Sequence, residues 1–351
     1  MKKNLVTPIA ILYLAMALLG CQRKNDVIPA GAAKTGTDAT AAAVTINPYT
    51  ILNITTAGIP NGFTAGSIYL KNSGSLYVTD VTNNSIKKID ITPVSTANQF
   101  TSVITTVNTP PGENGLRLTN PINVVGTNNG SINVLFRTDD RFGSVVYGRI
   151  YGPSGSIYTL PVSRIGNIGM SGDPSGSFAW FCSFDGIGKF FSSHIQLPNF
   201  KIPADSLYEL QNGEQKRGSP VTRIFVGASG TKYLVNNQQI FKLTSGGQLI
   251  RAKPYANYPY TPYESMTGLV ATGDNKIIYF TKNGRIMKLE NSVITTLVYP
   301  SGQTSTEGTA AFIRAGELAI DEQQHLLYFA DSYSSSGGNI KALTLPGYQG
   351  H

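Results

Sequence analysis

The chain has 351 residues, only 14% of them charged, with 37 glycines, 18 tyrosines and a formal net charge of +8. That balance suits many short strands joined by tight turns and excludes a body of amphipathic helices. The basic residues are scattered, with no run and no recognisable motif, which excludes nucleic-acid binding as the main role.

Lys2 and Lys3 precede an apolar run from Leu5 to Leu19. The run is too short for a stable span and reads as a signal-peptide core, so residues 1–20 are expected to be removed. Leu18-Leu19-Gly20-Cys21 follows and resembles a bacterial lipobox, in which the small Gly20 admits the peptidase and the Cys21 thiol takes the diacylglyceryl group. A lipoprotein of the cell envelope is the expectation, held to the membrane by acyl chains such as palmitate and by nothing else. Two or three such chains anchor firmly where one does not. Residues 21–42 are small and polar without periodicity, and read as a flexible tether of roughly 25 Å root-mean-square length. The folded body is then residues 43–351, a size that one all-β domain can reach. With Cys21 acylated, Cys182 in AWFCSF has no partner for a disulfide and reads as a small buried hydrophobe.

Along this body one unit recurs roughly every 50 residues. Its centre is a short apolar strand: LYV at 76, INV at 132, AWF at 179, KYL at 232, IYF at 278 and LYF at 327. Before each lies a tight connection rich in Gly, Asn or Asp (NSGS at 72, NNGS at 128, PSGS at 174, ASGT at 228, GDNK at 273, EQQH at 322) that can reach positive φ. SIYL, INVV, IGMS, RIFV, GLVA and ELAI stand upstream, and SIKKI, VVYGRI, KFFSSHI, QIFKL, RIMKL and NIKAL downstream. A fourth strand is expected in SVITTV at 102, SIYTL at 156, SLYEL at 206, GQLIRA at 247 and SVITTL at 292.

Four short strands make a sheet too small to bury both faces alone, whereas six such sheets arranged radially cover one another. The expected fold is therefore a six-bladed β-propeller of four-stranded antiparallel blades. The sixth unit lacks a fourth strand, and TILNIT from Thr50 has the missing pattern. Pairing it near Lys341 closes the ring, so that the N-terminal strand completes the last blade.

LYVTDVTNNSIKKID at 76–90 and TEGTAAFIRAGELAIDEQQHLLYFADS from Thr306 resemble the NHL-repeat family in its strand-Asp-Asn-strand core and its Gly-Thr-Ala-Ala-Phe loop. The resemblance implies an NHL-type propeller, and the expected role is a binding or interaction module that holds a protein or glycan on its long-loop face.

Strand direction alternates within a blade, so the loops between second and third strands share a face with the loops between blades. They are longer and more varied than the first-to-second turns, which directs the search for a site to them or to the channel mouth. Arg137, Asp139, Asp140 and Arg141 crowd charge into one second-to-third loop. Asp80 and Asp331 hold the matching position in the first and sixth units and read as caps of their own loops. Tyr255, Tyr258, Tyr260, Tyr263 and Glu264 lie in a Pro-rich interblade loop whose aromatic faces suit a sugar ring or peptide. His194, His325 and His351 are too scattered for a histidine metal site or a Ser/His/Asp triad.

No cofactor is called for by the binding-module reading, and a monomer is expected. The alternative is a metal-dependent hydrolase or lyase. The resemblance extends to gluconolactonase-like propellers, which hold a divalent cation such as Ca²⁺ in the channel, and it implies Asn123, Asn167, Glu264 and Glu317 as the candidate ligands here.

Overall fold

The computed structural model describes residues 48–54, 63, 65–94, 99–107, 119–126, 131–137, 145–151, 156–161, 169–183, 186–191, 195–200, 208–211, 214–217, 223–235, 239–244, 249–251, 266–300, 309–311, 315–331 and 339–349. All of them belong to the unit Ala43–His351. No helix among them is long and apolar enough to cross a membrane.

The described chain opens with strand β1 (Ile51–Asn53). Blade 1 follows as β2 (Ala65–Asn72), β3 (Ser75–Asp80), β4 (Ser85–Val94) and β5 (Gln99–Val107). Blade 2 is β6 (Thr119–Gly126), β7 (Ile132–Arg137), β8 (Val145–Tyr151) and β9 (Ser156–Pro161). Blade 3 is β10 (Gly169–Gly172), β11 (Ala179–Ser183), β12 (Gly186–Phe190) and β13 (Ile195–Phe200). A separate hairpin, β14 (Tyr208–Gln211) with β15 (Glu214–Arg217), stands between blades 3 and 4 in the chain. Blade 4 is β16 (Arg223–Val226), β17 (Lys232–Val235), β18 (Ile240–Leu243) and β19 (Leu249–Arg251). Blade 5 is β20 (Met266–Ala271), β21 (Ile277–Lys282), β22 (Arg285–Glu290) and β23 (Val293–Pro300), with the short β24 (Thr309–Ala311) added in parallel to β23. Blade 6 is β25 (Ala315–Asp321), β26 (Leu326–Asp331) and β27 (Asn339–Thr344), and β1 joins it as the fourth strand.

The turns that open these hairpins form for the reason their sequences suggest. Gly74, Gly176 and Gly230 take positive φ in the turns of blades 1, 3 and 4, Asn275 does so in blade 5, and His325 takes that place in the weaker EQQH turn of blade 6. The NNGS turn of blade 2 lies largely outside the described residues.

Blade 3 departs from the expected pattern. KFFSSHI is not one strand: β12 ends at Phe190 and β13 begins at Ile195, so the third strand is GIGKF and the fourth is IQLPNF. SLYEL contributes instead to β14 of the extra hairpin. Pro198 within β13 obscured this strand. It is tolerated there because β13 ends the order of its sheet, where one side of the backbone needs no donor.

Ring closure follows the expected pairing: Ile51 faces Leu343, Leu52 faces Ala342 and Asn53 faces Lys341. Thr50 N donates to Thr344 Oγ1 at 2.8 Å and Ile54 N to Ile340 O at 3.1 Å, extending the clasp at both ends. The inner strands meet in the circular order β25, β2, β6, β10, β16, β20 and back to β25.

Packing confirms the count of blades, because an apolar cluster fills each of the six interfaces. The period of two along each second strand sends alternate side chains to opposite neighbours. Leu76 and Val78 join Leu326 and Tyr328 between blades 6 and 1, while Tyr77 joins Val124 and Val134 between blades 1 and 2. Side-chain hydroxyls stitch some inner strands together. Ser171 Oγ accepts from Val226 N at 3.0 Å across blades 3 and 4, and Thr281 Oγ1 donates to Gly316 O at 2.8 Å across blades 5 and 6.

Ile54 is fully buried in the closing interface, whereas Val103 on the outer strand of blade 1 is 65% exposed. Ile54→Ala should therefore cost about 2–5 kcal/mol, and Val103→Ala should stay within about 0.5 kcal/mol of the parent. Urea denaturation of both variants checks this, and equal losses would contradict the assigned clasp.

Candidate binding site in the central channel

The inner strands surround a cavity of about 410 Å³ to which all six blades contribute. It runs from the level of Asn123, Arg223 and Glu317, near the starts of β6, β16 and β25, to the first-to-second turns at Asp173, Ala228, Gly273 and Glu322. The described lining thus reaches the tight-turn face of the propeller.

At the first level Arg223 reaches across blade 5 to Glu317. Its Nε donates to Glu317 Oε1 at 2.7 Å and to Thr267 O at 3.2 Å, with the two side chains 27% and 14% exposed. Gly268 leaves room for this bridge. A Cβ there would lie 2.6 Å from Gly316 O and 2.9 Å from Leu318 N, so only glycine lets β20 and β25 approach so closely. The bulge that places it, between Met266 and Leu269, recurs in blade 1 between Ala65 and Ile68 and in blade 6 between Ala315 and Leu318. Thr281 Oγ1 accepts from Gly268 N at 2.7 Å, and Thr79 Oγ1 accepts from Ser67 N at 2.7 Å in the same way. Burial pushes the Glu317 carboxyl above its ordinary value against the pull of the Arg223 guanidinium, and Glu317 in turn raises Arg223.

Towards the turns, Tyr69 of β2 crosses from blade 1 to blades 2 and 3. A Cβ on Gly126 would stand 2.7 Å from its ring, and one on Gly172 would stand 3.6 Å away. Gly126 is the space that this ring occupies, whereas a Cβ on Gly172 would only touch it, and burial raises its phenol. Beyond it, Asp173 is fixed by three donors: Ser175 N at 2.9 Å, Ser175 Oγ at 2.6 Å and Trp180 Nε1 at 2.7 Å. Lys189 Nζ lies 4.6 Å and Lys232 Nζ 4.1 Å from the Trp180 ring centroid.

Of the positions singled out from the sequence, Asn123 and Glu317 line the channel together. Asn167 and Glu264, the other two candidate cation ligands, lie outside the described residues, as do Cys21, Asp139, Asp140, Arg141, Tyr255, Tyr258, Tyr260 and Tyr263. Arg137 ends β7, at the end of that strand away from the tight turn. Asp80 is a loop cap: its carboxylate accepts from Asn83 N at 3.2 Å and Asn83 Nδ2 at 2.8 Å, with Lys87 at 3.9 Å. Asp331, at the matching position in blade 6, accepts from Lys341 Nζ at 2.6 Å, and the loop it was expected to cap lies outside the described residues. Cys182 is fully buried, and burial pushes its thiol up to about 12, which makes it inert. Arg223 and the Trp180 cluster were not singled out; the signal for Arg223 was a charged residue at the start of an otherwise apolar inner strand.

No protein-family model matches the chain, and no curated protein matches it. Among solved structures, a protein of unknown function from Bacteroides thetaiotaomicron is similar at a TM-score of 0.54 and 11% identity, over 85% of this chain and 72% of that one. A streptogramin B lyase is similar at a TM-score of 0.48 and 16% identity, over 86% of this chain and 89% of that one. The first likeness shows the propeller fold.

Burial works to raise the Asp173 carboxyl, but the bonds from Ser175 and Trp180 and the charge of Lys189 outweigh it and hold the group below the ordinary aspartate range. What the carboxylate contributes is present above its unfolded value and is lost as pH falls through the lower folded value. Trp180 is the only tryptophan, so its emission should titrate with a midpoint below about 3.9 and lose that step in Asp173→Asn. A midpoint above the ordinary aspartate value would contradict the assignment.

Proposed function

We propose that this chain is a lipid-anchored binding module of the cell envelope, an NHL-type propeller that holds a protein or glycan ligand. The observation that carries the reading is the channel cavity, about 410 Å³ and walled by every inner strand. Ligand sites are typically concavities of about 300–1,000 Å³, largely apolar with a few placed polar groups. Asn123, Arg223 and Glu317 at one level, with Asp173 and Glu322 at the other, supply such groups among Val124, Met170, Leu269 and Leu318. The Arg137, Asp139, Asp140 and Arg141 loop and the Tyr255, Tyr258, Tyr260, Tyr263 and Glu264 loop are proposed as further ligand contacts.

The lipid anchor is supported by Leu18-Leu19-Gly20-Cys21 after the charged and apolar leader. Binding is favoured over a metal-dependent hydrolase or lyase by the Arg223–Glu317 pair. A guanidinium 2.7 Å from Glu317 Oε1 repels a divalent cation from the carboxylate that such an enzyme would use.

Cys21→Ser should abolish palmitate incorporation in cells and release the protein from the membrane fraction; labelling that persists would overturn the anchor. On a glycan array the soluble Cys21→Ser protein should bind at least one saccharide, and the signal should fall when Tyr258 and Tyr260 are both changed to Ala. Binding unchanged in that variant would remove the loop from the site, and a blank array would exclude the glycan arm in favour of a protein ligand.

A further inference from the structure

Three features meet at one place on the tight-turn face, between blades 3 and 4. In blades 1, 4 and 5 the second strand carries a tyrosine opposite a third-strand lysine: Tyr77 faces Lys88, Tyr233 faces Lys242 and Tyr279 faces Lys288. Blade 3 puts Trp180 in that position, facing Lys189.

The second is the lack of a carboxylate like those of blades 1 and 5, a lack that blade 4 shares, with Thr244 two residues beyond Lys242. Lys88 pairs with Asp90 at 2.7 Å and Lys288 with Glu290 at 3.0 Å, each two residues further along its own strand. Two residues beyond Lys189 stands Phe191. Among the described residues Lys189 therefore makes no ion pair.

The third is Lys232. Its register position is held in the other blades by Leu76, Ile132, Ala179, Ile278 and Leu327, all of them apolar. A lysine here is a charge where the other blades carry core residues, turned onto the indole of the neighbouring blade, and among the described residues its acceptor is Gly230 O at 3.3 Å. Burial and the charge of Lys189 depress its pKa. Asp173 lies within electrostatic reach of both ammonium groups, but its oxygens are committed to Ser175 and Trp180. One carboxylate against two lysines leaves net positive charge in a half-buried site, a cost that a bound anion removes.

We infer that Lys189 and Lys232, beside Trp180, form an anion-binding subsite for the carboxylate, sulfate or phosphate group of a ligand. Asp173, Pro174, Gly176 and Ala228 line the cavity and belong to the turns of the same two blades, so the subsite opens beside the channel. Its place in a larger ligand site rests on the channel-binding reading; the capture of an oxyanion does not.

The test uses the sole tryptophan as reporter. Purified protein is titrated separately with sulfate, phosphate and glucuronate, with ionic strength held constant by chloride because exposed charges are screened by salt. At least one anion should change Trp180 emission saturably, and the three arms identify which oxyanion is held. Lys232→Leu restores the residue that blades 1 and 6 carry and is expected to fold; it should abolish the response, and Lys189→Gln should weaken it roughly tenfold. An equal response in Lys232→Leu, a change matched by chloride alone, or no saturable change with any of the three anions overturns the subsite. The same titration read as a rise in Tm for the parent, absent in Lys232→Leu, separates anion binding from indole quenching. A glycan array that fails while the anion response stands defeats the larger reading alone, and the reverse result defeats the subsite alone.

Discussion

The structure depends on one constraint, that no blade can bury its two faces by itself. A four-stranded sheet sends alternate side chains to opposite sides, and here both sides of every second strand are core. Leu327 and Phe329 enter the interface with blade 5, while Leu326 and Tyr328, one step away, enter the interface with blade 1. The ring satisfies both sets at once because each face of a sheet becomes the floor of its neighbour's. Cooperativity follows, since removing any blade uncovers two clusters.

The constraint made the fold legible. Six apolar triplets with a turn before each mark the second strands, and the need to complete a sixth sheet locates the partner of β1 to within the segment that holds Lys341, the partner of Asn53. Blade 3 resisted because its signals conflict: the aromatic pair Phe190-Phe191 continues a strand pattern past the point where β12 ends, and Pro198 argues against the strand that follows. A repeat read by likeness is least informative where its copies diverge, and no local rule decides between a strand and a hairpin built from SLYEL.

The site was legible in part. Asn123 and Glu317, expected as cation ligands from the likeness to gluconolactonase-like propellers, both line the channel. Arg223 and Lys232 passed unmarked because each sits inside a segment, RIFV or KYLV, whose apolar remainder matched the template. The aligned copies already held the signal: Lys232 stands in a column otherwise filled by Leu, Ile and Ala. Reading the repeat for its exceptions rather than its consensus would have found it. The geometry that lets Arg223 reach Glu317 was beyond sequence reasoning, because it depends on a bulge and on the bare Cα of Gly268 beneath the bridge.

The clasp between β1 and β27 bears on how the molecule is assembled. Thr50 and Thr344, bonded at 2.8 Å, are 294 residues apart in the chain, so this contact cannot form until the chain has been made as far as Thr344. Five blades can be laid down in order of emergence, each on the last, but the sixth has to wait for its own end and then recapture the beginning. Until it does, the edge of β27 that β1 will cover is an open row of backbone donors and acceptors, able to accept the first strand of another molecule. A crowded, half-made population can thus exchange clasps, and the covering of that edge within a single chain keeps each molecule separate.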